Sequence, residues 1–295
     1  MQESTAHTAA AWLASLFLVT PALAADPAFR VKAWDEVSDR RLSSIGSRFQ
    51  QADQERWLYA ESVHFIAFAF NLRDLETMLR QAEYAYDEVN RYFGLSGGVS
   101  KTRLLLVQNE RLWDDLMLGA GLRPDGLAFQ YQEEVYFKAD AAQAARPDRV
   151  AHEIVHARLR NAYGADIPLW IDEGLANFLG WNIAEAYARL QARDLSRNLA
   201  AVEQGLVVGL NELASWNTYP DDPAAAQAYY RQIEELVRAV NEQIHDDRMR
   251  DLVGAACRGK TGLRELLKVE FGYSDENVDK LEQTVKERST SNRSL

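Results

Sequence analysis

Apolar positions along the chain follow two periods, and the balance between them shifts near residue 147. Residues 62–68 are dense in β-branched and aromatic side chains and predict a strand. Leu75, Leu79, Ala82, Tyr86 and Val89 recur at helical spacing, which predicts a helix over Leu72 to Phe93 that stops at Gly94. The run Thr102–Val107 is a strand of the fully buried type, and 109–118 is a short helix. Two further strands, 126–131 and 135–137, are joined by the polar turn Gln132-Glu133-Glu134. From Pro147 onward the pattern is almost entirely helical. Strands first and helices afterwards predict an α+β fold, with a small mixed β-sheet subdomain followed by a mainly helical subdomain. No linker composition interrupts 60–287, which reads as one unit. Residues 25–59 are polar and read as a linker with a short helix, and 288–295 read as a disordered tail.

Composition narrows the partners. A 47% apolar and 26% charged chain is an ordinary globular protein, and a formal net charge of −11 disfavours nucleic acid or an anionic membrane. Residues 1–24 read as a signal peptide: an apolar run from Ala9 to Val19, broken at Pro21, then Ala22-Leu23-Ala24 as a cleavage site. The first eight residues carry no Lys or Arg and include Glu3, which departs from that pattern. The run is shorter than the ~20 residues that span a bilayer, so the mature chain is expected to lack an integral membrane segment. Export to the periplasm or medium of a bacterium follows, or a cytoplasmic location if the segment does not function. Cys257 is alone, which excludes an intramolecular disulfide.

The chemistry concentrates in His152-Glu153-Ile154-Val155-His156. On a helix, positions i and i+4 share a face, so two imidazoles can bind one metal ion with a carboxylate beside them. The competing reading is a surface helix with two solvated histidines. Local context disfavours it: Arg146-Pro147-Asp148 is a helix start, Val150, Ile154 and Ala157 form an apolar stripe, and Gly164 is a stop. Unpaired imidazoles on a half-buried helix are costly. Downstream, Pro168-Leu169-Trp170-Ile171-Asp172-Glu173-Gly174 opens a second amphipathic helix, with Glu173 placed to return alongside the first. Two histidines, one glutamate and a water make an open zinc site.

Gly254 to Thr261 also matches the phosphate-loop string GxxxxGK[ST], but the stretch before it is charged and helical in period. A helix–loop–helix is the better account. His64 reads as a packed histidine.

The HExxH motif, followed by Trp170-x-x-Glu173-Gly174-x-Ala176, resembles the signature of gluzincin metallopeptidases, the peptidase MA clan that includes thermolysin and the zinc aminopeptidases. The closest resemblance is to the bacterial peptidase MA-like domain family, over roughly residues 60–287. It includes Glu61-Ser62-Val63-His64-Phe65 and Phe271-Gly272-Tyr273-Ser274. The resemblance implies a thermolysin-like zincin core and one Zn2+ per chain held by His152, His156 and Glu173. It further implies a peptide or protein substrate, with Glu153 as general base and then acid. A tyrosine at the start of a later helix would stabilise the oxyanion; Tyr230 fits best, with Tyr229 in reserve. Asn177 and Asp172 are candidates to orient a ligand imidazole. The strand bearing Gly126, Ala128 and Phe129 would line the cleft and pair with an extended peptide. Aminopeptidases of the clan carry Gly-x-Met-Glu-Asn there, whereas this chain has Gly126-Leu127-Ala128-Phe129-Gln130, so an endopeptidase is preferred. The alternative is a non-catalytic zinc-binding or degenerate peptidase-like module that binds peptides, against which the intact Glu153 argues.

Overall fold

The computed structural model describes residues 29–52, 54–97, 100–119, 127–139, 146–164, 166–244, 246–259 and 262–294. The expected signal peptide and Gly126 lie outside these residues. Six strands form one mixed sheet: β1 Arg30–Lys32, β2 Leu58–Glu61, β3 Phe65–Ala69, β4 Thr102–Val107, β5 Ala128–Tyr131 and β6 Glu134–Lys138, in the order β1-β2-β3-β4-β6-β5. The central pairs β3/β4 and β4/β6 are parallel and the others antiparallel. Both faces are covered, which is why β3 and β4 are buried along their whole length and read as near-continuous apolar runs. Phe65, Ala67, Leu104, Leu106, Val135 and Phe137 face the helical core. Ile66, Phe68, Leu105, Val107 and Tyr136 face a second core, built with Phe49, Trp57 and Trp113.

That second core corrects the reading of 25–59 as a linker. β1 pairs with β2, and the short helix α1 Ser44–Ala52 inserts Phe49 against Trp113 and Tyr136 at ring-centroid distances of 6.4 and 5.4 Å. The strand predicted over 62–68 begins only at Phe65, because 62–64 turn the chain between β2 and β3. Ser62 N donates to Phe65 O at 3.0 Å, and Lys101 Nζ donates to Ser62 O at 2.7 Å.

The helix predicted between β3 and β4 is α2 Leu72–Phe93, capped by Asn71 and closed by Gly94 in the left-handed region at φ +59°. α3 Glu110–Gly119 lies between β4 and β5. The helical half comprises α4 Pro147–Tyr163, α5 Leu169–Leu190, α6 Leu210–Ser215, α7 Pro223–Ile244, α8 Asp246–Arg258, α9 Leu263–Phe271 and α10 Asp275–Ser289. The apolar stripe Val150, Ile154 and Ala157 is buried as expected. α5 differs from expectation. It is apolar nearly all round, with Ile171, Leu175, Phe178, Leu179 and Ile183 buried in the core rather than on one stripe.

Two glycines allow that position. A Cβ on Gly180 would stand 2.9 Å from both N and Cα of His152, and one on Gly174 would stand 2.9 Å from Ile233 O on α7. α4 and α5 therefore approach at backbone contact.

The tail expected to be disordered is tied down through residue 294. α10 runs to the buried Ser289, whose carbonyl accepts from Val202 N at 2.8 Å, and β8 Arg293–Ser294 pairs antiparallel with β7 Asn198–Leu199. The phosphate-loop string begins inside α8, with helix rather than strand before it; Lys260 and Thr261 lie outside the described residues. Among the described residues, no helix is long and apolar enough to cross a membrane.

Candidate metal centre

α4 sets His152 and His156 on one face, and the first turn of α5 sets Asp172 and Glu173 opposite them. Gly164, at φ +89°, lets the chain leave α4, and Pro168 caps the start of α5. His152 Nε2 and His156 Nε2 are 3.1 Å apart. Glu173 Oε2 is 3.6 Å from His152 Nε2, and Oε1 is 3.5 Å from His156 Nε2. Ligands at 2.0–2.1 Å around a tetrahedral ion stand about 3.3 Å from one another, and one ligand atom from each of the three side chains can be chosen so that all lie within 4.8 Å, a spacing compatible with a shared ion. Among the described residues this is the only group of three or more His, Cys, Asp or Glu side chains close enough to share an ion.

Asp172 stands behind His156. Its Oδ1 lies 2.7 Å from His156 Nδ1, while Oδ2 accepts from Arg160 Nη2 at 3.1 Å. That bond occupies Nδ1 and turns Nε2 toward the cluster. Asn177 does not do the same. No hydrogen bond joins it to either histidine; its Nδ2 is buried without a partner, and the residue lines the adjacent cleft. One helical turn past Glu173, it sits beside the cluster rather than behind it.

Burial and charge set the protonation pattern. Burial pushes Glu153 up to about 7. Burial, helped by the neighbouring His156, lowers His152 to about 4. Burial also opposes charge on His156, but the carboxylates of Glu173 and Asp172 outweigh it and raise this imidazole well above its ordinary value. Glu173 is likewise held at about 2, its burial overcome by the His156 charge. Two carboxylates thus surround a position that calls for a cation, and without a metal a proton on His156 supplies it.

Of the two tyrosines considered for the oxyanion, Tyr229 is fully buried, stacked on Trp216 at 5.0 Å, with its hydroxyl unpartnered. Tyr230 is half-buried and stacks on Tyr219 at 5.8 Å. A third tyrosine, Tyr219, donates from Oη to Glu173 Oε1. It lies on the segment leading into α7, where no periodic pattern marks it.

An open cleft of about 380 Å3 lies along the cluster, lined by Ala128, His152, Glu153, Asn177, Trp181 and Arg197 among others. Ala128 thus faces this cleft. Phe129 does not: strand alternation turns it to the far face, stacked on Tyr136 at 4.6 Å and edge-on to Trp113 at 5.5 Å. Arg197, Arg160 and Tyr219 are site residues that the motif did not reveal. No family model matches the chain, and no curated protein matches it.

Proposed function

We propose that the chain is a zinc-dependent peptidase of gluzincin type, built on a zincin core, that hydrolyses internal peptide bonds. The observation that carries this reading is the convergence of two imidazole nitrogens, 3.1 Å apart, with a carboxylate whose two oxygens lie 3.6 and 3.5 Å from them, beside the buried Glu153 in an open cleft. His152, His156 and Glu173 would hold one Zn2+. When bound, zinc supplies a water of lowered pKa and polarises the scissile carbonyl. Glu153, whose carboxyl is raised to about 7 by burial, would accept a proton from the attacking water and return it to the departing amine. Asp172, steadied by Arg160, keeps His156 in the tautomer that leaves Nε2 free. Tyr219 fixes the orientation of Glu173 through Oε1.

The cleft suits an extended chain. β5 is the last strand of the sheet, so its outer edge has no strand partner among the described residues, and Ala128 lies both on it and in the cleft. A peptide added along that edge would be held by its main chain, leaving side-chain selectivity to the cleft walls.

The test compares wild type with Glu153→Gln for zinc content and for cleavage of a mixed peptide library. One zinc in each protein, with cleavage reduced about 10²–10⁴-fold in the variant, is the expected result. Bound zinc with no cleavage by either protein would leave a zinc-holding peptide-binding module. No zinc in either would remove both readings.

A further inference from the structure

The lining of the cleft carries, besides Glu153, a charge that the peptidase mechanism does not use. Arg197 lies on the segment after α5, lines the cleft, and is 31% exposed at its side chain. Its guanidinium spends two donors on Glu234, at 2.9 and 3.3 Å, and sits 5.5 Å from the Trp181 ring centroid. Glu234 is itself buried and shared with Arg238, while Glu235 is shared by Arg238 and Arg231. Three arginines thus share two carboxylates, leaving one positive charge in surplus within a chain of net charge −11. Asp148, which also lines the cleft, does not cancel it, because both Nε and Nη2 of Arg146 engage that carboxylate at 3.0 and 2.9 Å. β7 follows Arg197 directly and is held by β8, which fixes the segment that presents the guanidinium.

We infer that Arg197, backed by Glu234 and flanked by Trp181, forms a carboxylate subsite, so that the preferred peptides carry a carboxylate next to the bond to be cut. A guanidinium has five N–H donors in a planar fork, and two go to Glu234. The remaining donors match a carboxylate, and the Trp181 ring under the guanidinium helps to hold it in place. The carboxylate comes either from an Asp or Glu side chain or from the peptide's C-terminus. This inference rests on the peptidase reading, and the experiment separates the two.

Zinc-loaded Glu153→Gln protein, in which turnover is suppressed, is titrated with two kinds of peptide pair, and binding is read by fluorescence anisotropy. One pair differs only by Glu against Gln; the other differs only by a free against an amidated C-terminus. About tenfold tighter binding of a carboxylate member is expected at low salt, and the pair that shows it identifies the source. Adding Arg197→Gln should erase the difference, while Arg197→Lys should keep part of it. Equal affinities in both pairs, no binding by any peptide, or a preference unchanged in Arg197→Gln would overturn the subsite, whatever the wild type cleaves. Absence of zinc or of cleavage in wild type would instead overturn the peptidase reading. If Arg197→Gln fails to fold with Glu234 left unpaired, the two pairs measured on the parent protein and on Arg197→Lys decide.

Discussion

In the proposed metal site, His156 is held by Asp172 and Glu173 by Tyr219, and the neighbours differ in what their removal should do. Asp172 bonds His156 Nδ1 but would not itself touch the ion. Asp172→Asn should therefore lower zinc affinity about 10–100-fold, read by competition with a chelator, while leaving the fold intact. An unchanged affinity would show that Asp172 serves Arg160 rather than His156. Titration follows from the same contacts, with signs that can be stated for the metal-free chain. His156 is raised, so its contribution to stability is complete below its unfolded value of about 6.5 and is lost as pH climbs through the folded value. Glu153, raised to about 7, also loses stability as pH rises. Glu173 at about 2 and His152 at about 4 act oppositely, losing stability as pH falls. The site therefore stabilises the metal-free fold most at about pH 6. Thermal melts with and without chelator should show a decline toward pH 9 that zinc reverses. A metal-free melting temperature that is flat on the alkaline side would contradict this protonation pattern.

Elements are where the geometry of the site is set. α4 and α5 meet at backbone contact because Gly180 leaves no Cβ between them and His152. Gly180→Ala puts a methyl 2.9 Å from main-chain atoms that cannot yield cheaply. A loss of about 1–3 kcal/mol in chemical denaturation is expected, with weakened zinc binding as His152 is pushed off position. Full stability in this variant would mean that the helices are not locked in this register. The same elements show what is legible in a sequence. Helix α2 and strand β4 emerge with their correct ends, since a long amphipathic period and a short fully buried run are local signals. β1 and β2 do not emerge, because strands of three and four residues carry too little alternation to read, and β1 meets its partner only across the intervening α1. Ser43, just before α1, holds Glu134 ninety-one positions away, a contact that no local pattern announces. At the site, His152, His156, Glu173 and Asp172 sit on helices whose starts the sequence marks, at Pro147 and Pro168, and could be placed in advance. Tyr219 and Arg197 sit on irregular segments, where nothing in the spacing announces what they touch.

Over the whole molecule, the cleft is closed from several directions by parts of the chain far apart in sequence. The mixed sheet offers β5 as its edge, α4 and α5 carry the cluster, and the C-terminal strand β8 holds β7 next to Arg197. Removing residues 290–295 should free the 197–202 segment, seen as faster amide exchange there, while zinc stoichiometry stays at one. Protection unchanged after truncation would show that Glu234, rather than the β7–β8 pair, fixes this wall.

The central claim, that one zinc ion held by His152, His156 and Glu173 makes this chain a peptidase, is tested most directly by titrating the metal-free protein with zinc while following cleavage of a mixed peptide pool. The account predicts no cleavage without metal, a rate that rises in proportion to added zinc, and saturation at one equivalent. A rate indifferent to zinc, or protein that takes up none, would contradict it.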